Sequence, residues 1–184
     1  MKDTLRILIH NNCNLSCSYC CNKISEQIER MVHKPLSEID FSLYQNICIT
    51  GGEPLLDLIY LESILIELPK DKIIILYTNG YLLNSKALLL LYSYNIKFIT
   101  VGIHDVIIPL INRITHEYEI FNRIYHDSIQ IRFNINDVHK EAKLELLAPG
   151  FQFKYWKMND CTRDNEDIIL LKQFKQEQYV RISM

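Results

Sequence analysis

Apolar positions along this chain come in short, dense bursts. The runs TLRILIH (4–10), NICIT (46–50), KIIILYT (72–78), KFITVGI (97–103), SIQIRFNI (128–135) and FQFKYWKM (151–158) are continuously apolar or nearly so, and rich in β-branched residues. Such runs are expected of strands covered on both faces. Between them the apolar spacing widens to three and four residues, the period of a helix with one buried stripe. Helices are therefore predicted in LLDLIYLESILIEL (55–68), which Pro69 stops, and in NSKALLLLYSYN (84–95), with Asn84 or Ser85 as the cap. Two further helical stretches, IIPLINRIT and HEYEIFNRIY, precede the fifth strand, and INDVHKEAKLELL follows it. NEDIILLKQFKQEQY reads as a last helix, and EQIERMVHK (26–34) as a solvated helix of mixed charge.

Strands that alternate with helices build a parallel sheet joined by crossover helices. The expected fold is α/β: a partial (β/α)6 barrel with a mainly parallel six-stranded sheet and outer helices, one domain over residues 1–184. A doubly wound sheet would carry the same pattern. In both architectures function gathers at the carboxyl ends of the strands.

Composition narrows the picture a little further. With 48% hydrophobic residues, 184 residues can form a core without a disulfide scaffold. A net charge of -2 leaves no broad footprint for a polyanion, so nonspecific nucleic-acid binding is not expected, and neither is an anionic membrane surface. The first apolar run is short and no small-residue cleavage site follows it; KALLLLYSYNIKF is interrupted well before spanning length. A cytoplasmic location with reduced thiols is the expectation.

The chemistry is concentrated in NNCNLSCSYCCN (11–22), which holds four of the six cysteines directly after the first strand. Cys13, Cys17 and Cys20 are spaced C-x3-C-x2-C. A structural zinc site would need a fourth ligand, usually in a second pair, yet Cys48 and Cys161 stand alone and there is no H-x3-5-H element. A disulfide is a poor fit to a reducing compartment. Three thiolates from one loop can hold three irons of a cubane cluster and leave the fourth open. Cys21 follows the third motif cysteine directly and reads as a spare thiol.

CNLSCSYC resembles the cysteine motif of the radical S-adenosylmethionine (radical SAM) superfamily, with Tyr19 at its aromatic position. TGGEP (50–54) after the second predicted strand is similar to the family's Gly-Gly-Glu motif, and YTNG (77–80) at the end of the third to its Thr-Asn-Gly turn. The resemblance implies a 4Fe-4S cluster on Cys13, Cys17 and Cys20, with S-adenosyl-L-methionine chelating the open iron. Reductive cleavage would then give a 5′-deoxyadenosyl radical that abstracts hydrogen from a small or nucleotide-like substrate, fed by an external reductant such as flavodoxin or ferredoxin. It also implies that the Gly51, Gly52 and Glu53 motif meets the methionine end of the cofactor, with the Glu53 side chain either supporting the cofactor or structural, that Thr78, Asn79 and Gly80 line the same floor, and that Tyr19 lies near the adenine.

Other strand-end residues are candidates with plainer alternatives. His104 follows the fourth strand, where the family often places a polar group near the ribose; it could equally be a partly buried histidine. Arg132 and Asn134 alternate on the fifth strand and share a face. Arg132 suits the methionine carboxylate, its alternative being an ion pair with a nearby acid. Past the sixth strand, Asn159, Asp160 and Cys161 are the candidate substrate-side residues, with Cys161 a possible hydrogen donor or simply a buried thiol. No cysteine-rich C-terminal segment suggests a second cluster. An enzyme that installs a glycyl radical on a partner protein is the second reading, and a non-enzymatic iron–sulfur electron carrier the third.

Overall fold

The computed structural model describes residues 3–17, 20, 32–104, 107–126, 128–157 and 166–171. Its strands are β1 (Thr4–Leu8), β2 (Val32–Lys34), β3 (Asn46–Thr50), β4 (Ile73–Thr78), β5 (Phe98–Ile103), β6 (Gln130–Asn136), β7 (Gln152–Trp156) and β8 (Glu166–Leu171). They form one sheet in the order β2-β8-β1-β3-β4-β5-β6-β7, and every pairing is parallel. The six predicted strands are thus β1 and β3 to β7, side by side in chain order. Helices α1 (Leu58–Glu67), α2 (Ser85–Ser93) and α3 (Ile107–Tyr125) provide the crossovers from β3 to β6.

One face of the sheet meets the helices. Ile7, Ile49, Leu76, Val101 and Phe133 pack there with Leu61 and Leu65 of α1, Leu88 and Leu91 of α2, and Ile111 and Ile114 of α3. The caps are local: Asp57 accepts from the Tyr60 amide at the start of α1, and Asn84 accepts from the Ala87 amide at the start of α2. The other face is more polar and presents Arg6, Cys48, Tyr77, Thr100 and Arg132. Here the expectation of strands covered on both faces fails for part of the sheet. β1 and β3 are buried throughout their middles, but β4 and β6 alternate between buried and half-buried positions. Among the described residues no helix lies over the inner side of β4 to β7.

This inner face is curved. The residues that open β3, β4, β5, β6 and β7 all border a single cavity. In a flat sheet, strands about 4.8 Å apart would spread those five residues over roughly 19 Å. An open sheet that curls in this way is the partial barrel expected, with eight strands instead of six.

The two added strands correct two helix assignments. Glu166–Leu171 reads EDIILL and forms β8, although it was expected to begin the last helix. A short apolar run has no periodicity that separates strand from helix. The free edge of β1 decides the matter, since pairing there satisfies both backbones. Side chains then lock the register: Arg6 Nε donates to Glu166 Oε2 at 2.6 Å, and the Tyr44 hydroxyl donates to Asp167 Oδ2 at 2.9 Å. Val32–Lys34, expected within a solvated helix, pairs with β8 as β2.

Two further differences lie around β6. The stretches expected as separate helices before it are one 19-residue helix, α3. Pro109 sits in its first turn, where a missing N–H breaks no bond. The helix expected after β6 is replaced by 3-10 turns at Asp137–Ala142 and Leu144–Leu146. Lys143 between them adopts a left-handed conformation, φ 47°, that no helix continues through. No helix among the described residues is long and apolar enough to cross a membrane.

Candidate functional site

Three segments meet beyond the carboxyl ends of β1, β3 and β4, and hydrogen bonds join them. The chain leaving β1 lies on the TGGEP loop: Gly52 N donates to His10 O at 2.7 Å, and Glu53 N donates to Asn12 O at 2.8 Å. The approach leaves no room for side chains. A Cβ on Gly52 would stand 1.9 Å from Asn12 O, and one on Gly51 would stand 2.5 Å from His10 O. Here the glycines are required by the backbone of the cysteine loop itself.

Glu53 closes the second join. It is fully buried, and its carboxylate accepts from three donors: Leu55 N at 3.0 Å, Thr78 Oγ1 at 2.7 Å and Asn79 N at 2.7 Å. Burial pushes its carboxyl pKa up, and the three donors oppose that shift. Thr78 is occupied in the same network, since its Oγ1 also accepts from Gly80 N at 3.0 Å. Gly80 turns the chain at φ 79°. Glu53→Gln should therefore lower stability by about 1–3 kcal/mol, because an amide cannot accept all three bonds and turns an N–H toward a donor. Equilibrium urea unfolding of the two proteins measures this, and equal midpoints would contradict it.

Asn79 makes the third join. Its Nδ2 donates to Asn14 Oδ1 at 2.7 Å and lies 3.7 Å from Cys13 Sγ; its Oδ1 accepts from Tyr81 N at 3.0 Å. Cys13 also accepts from Leu15 N at 3.4 Å. Cys13 is exposed, while Cys17 and Cys20 are half-buried, and the Cys20 amide donates to Cys17 O at 3.4 Å. None of the three is in a disulfide. Among the described residues no group of three or more His, Cys, Asp or Glu is gathered closely enough to hold a metal ion.

Several contributors carried no signal in the sequence motifs. Asn12 and Asn14 are part of the joins just described. His10 is buried and stacks against Tyr60, ring centroids 6.1 Å apart, and burial lowers its pKa, which favours the neutral ring. Arg113 of α3 donates to the carbonyls of Leu83, Gly80 and Tyr81, and so braces the Thr-Asn-Gly turn from outside. The cluster NNCN could have pointed to the asparagines; nothing in a helical RIT context points to Arg113.

The remaining candidates lie along the inner face. His104 follows β5, its Nε2 within 3.3 Å of where a Cβ on Gly102 would stand. Asn134 is in register with Gly102, and its Oδ1 is buried with no hydrogen-bond partner among the described residues. Arg132 lies one layer lower, in register with Thr100, to whose Oγ1 its Nη2 donates at 3.2 Å. It makes no ion pair among the described residues, and it borders the cavity at the amino ends of the strands. Cys48 is buried on β3, and burial pushes its thiol up to about 12, so it stays protonated. Tyr19, Cys21, Asn159, Asp160 and Cys161 lie outside the described residues.

A family model for the radical SAM superfamily matches residues 7–107, more than half of the chain and all three joined segments. The chain belongs to the radical SAM superfamily. No curated protein matches it. The matched region ends at the start of α3, so the three motifs, β3, β4 and the end of β1 lie within it.

Proposed function

We propose that this radical SAM protein is an enzyme that binds one 4Fe-4S cluster and S-adenosylmethionine, and that it uses them to abstract hydrogen from a small substrate or a small group of a larger one. The observation that carries this reading is the lacing of the cysteine loop to the Gly-Gly-Glu loop and the Thr-Asn-Gly turn through Gly52, Glu53 and Asn79. An electron carrier would need the thiols alone; a built platform beside them suits a second, polar ligand.

The residues fit both groups. Cys13, Cys17 and Cys20 supply three soft thiolate ligands on one loop and leave a fourth iron without a protein ligand. The Asn79 amide lies 3.7 Å from the Cys13 sulfur and ties it to the Thr-Asn-Gly turn. When bound, the cluster and S-adenosylmethionine together supply a 5′-deoxyadenosyl radical. The chain's own work is positional. Glu53 fixes the turn that carries Asn79, and Gly51 and Gly52 let the loop of residues 10–12 lie flat against it. Asn134, with a buried and unsatisfied Oδ1, and His104 face the same end of the inner surface and suit the cofactor's polar groups. Tyr19 is assigned to the adenine side, and Asn159, Asp160 and Cys161 to the substrate. The electron comes from an external reductant such as flavodoxin or ferredoxin.

The test is anaerobic reconstitution, reduction with dithionite and addition of S-adenosylmethionine. We expect 5′-deoxyadenosine and methionine in equal amounts, formed slowly without substrate. A fully reconstituted cluster that neither binds nor cleaves S-adenosylmethionine would overturn the proposal.

A further inference from the structure

The cavity at the other end of the inner face has no part in the site above. Asn46, Ile73, Phe98, Gln130 and Gln152, which open β3 to β7, border it, and the cysteine loop and its partners lie beyond the opposite strand ends. Its volume is about 260 Å³, just below the roughly 300–1,000 Å³ of drug-sized pockets. Among the described residues one cation borders it, Arg132, with the hydroxyl of Thr100 and the carboxamides of Asn46, Gln130 and Gln152 also on the wall. Ile75 and Phe98 make another part of the wall apolar.

Among the described residues the charge in this region is not balanced. Arg6 and Arg132 both lie near the buried thiol of Cys48, which is neutral. The carboxylate on this side, Glu166, is gripped by Arg6 through two hydrogen bonds, Nε to Oε2 at 2.6 Å and Nη2 to Oε1 at 3.1 Å. The Arg6 guanidinium also lies 4.5 Å from the centre of the Tyr77 ring. Among the described residues Arg132 has no such partner: its Nε is buried without an acceptor, and its one hydrogen bond goes to the neutral Thr100 hydroxyl. A half-buried guanidinium with its Nε out of water and no anion beside it is unfavourable, and its planar fork is shaped for a carboxylate.

We propose that this amino-end cavity is a binding site for a small organic carboxylate, its head on Arg132 and Thr100, its apolar body against Ile75 and Phe98. A single guanidinium beside neutral amides matches one negative charge better than the two of a phosphate. The site is separate from the cysteine loop, so the ligand and S-adenosylmethionine bind together.

Calorimetry on the reconstituted full-length protein tests this, with benzoate and butyrate as carboxylate probes and inorganic phosphate as the other anion. Saturable benzoate binding in the millimolar range or tighter is expected, at least tenfold tighter than phosphate and unaffected by S-adenosylmethionine. Arg132→Gln should weaken it at least tenfold. Gln152 is exposed at the rim, so Gln152→Trp offers a second variant that should block entry while preserving the fold. Three results would each overturn the proposal: no saturable carboxylate binding, binding unchanged in both variants, or tighter binding of phosphate. Competition between benzoate and S-adenosylmethionine would also overturn it, and would assign Arg132 to the cofactor.

Discussion

Cys17→Ala should lose essentially all cluster iron and sulfide after reconstitution, and with them all cleavage of S-adenosylmethionine. Cys13→Ala and Cys20→Ala should do the same, from about four irons per chain to near zero. Each iron of a cubane needs its own ligand, and the loop offers three thiolates with no neighbouring replacement among the described residues. Cys48→Ala is the internal control. Cys48 is buried on β3, and its thiol is held protonated by burial, so it is a poor ligand and cluster content should be unchanged. Iron and sulfide analysis, with the visible absorption of the cluster, decides. Full iron in Cys17→Ala, or loss in Cys48→Ala, would remove the assignment of ligands.

Gly52→Ala should have the next largest effect, and its form separates two roles for the glycine. If Gly52 only made room for the cofactor, a methyl group would weaken S-adenosylmethionine binding and leave the cluster in place. The structure gives a different expectation. The added Cβ would stand 1.9 Å from Asn12 O and 2.4 Å from Asn12 C, both backbone atoms that no side-chain rotation can move aside. Residues 11 and 12 must shift, and the Glu53 N to Asn12 O bond goes with them. We expect a stability loss of about 1–3 kcal/mol in the protein without its cluster, together with at least a halving of iron incorporated. Urea unfolding before reconstitution and iron analysis after it measure the two parts. Normal stability and normal iron, with weakened cofactor binding alone, would return the glycine to the cofactor.

The order of strands and the address of the chemistry were legible in the amino-acid sequence. Runs such as KIIILYT and KFITVGI are short, apolar and β-branched, as buried strands are, and helical spacing between them favours parallel crossovers. Three motifs at three successive strand ends then specify the cysteine loop, the Gly-Gly-Glu loop and the Thr-Asn-Gly turn before any coordinates are known. Asn84 and Pro69 mark helix boundaries because caps and breakers act over a few residues.

What the tertiary structure alone decided depends on partners far away in the chain. EDIILL became a strand because β1 had an open edge and Arg6 and Tyr44 stood ready for Glu166 and Asp167. Glu53 reads in the sequence either as a support for the cofactor or as a structural residue. Folding surrounds its carboxylate with donors from residues 55, 78 and 79 and makes it a buried brace. Gly52 needs its missing side chain because Asn12 passes over it, a contact between segments forty residues apart. Alternation puts Arg132 and Asn134 on one face of β6, but that Arg132 borders the cavity at the amino ends of the strands depended on the curl of the sheet. Local patterns report which residues are extended, helical or turning; they carry no information on which unsatisfied edge, donor or charge will be waiting when the chain closes.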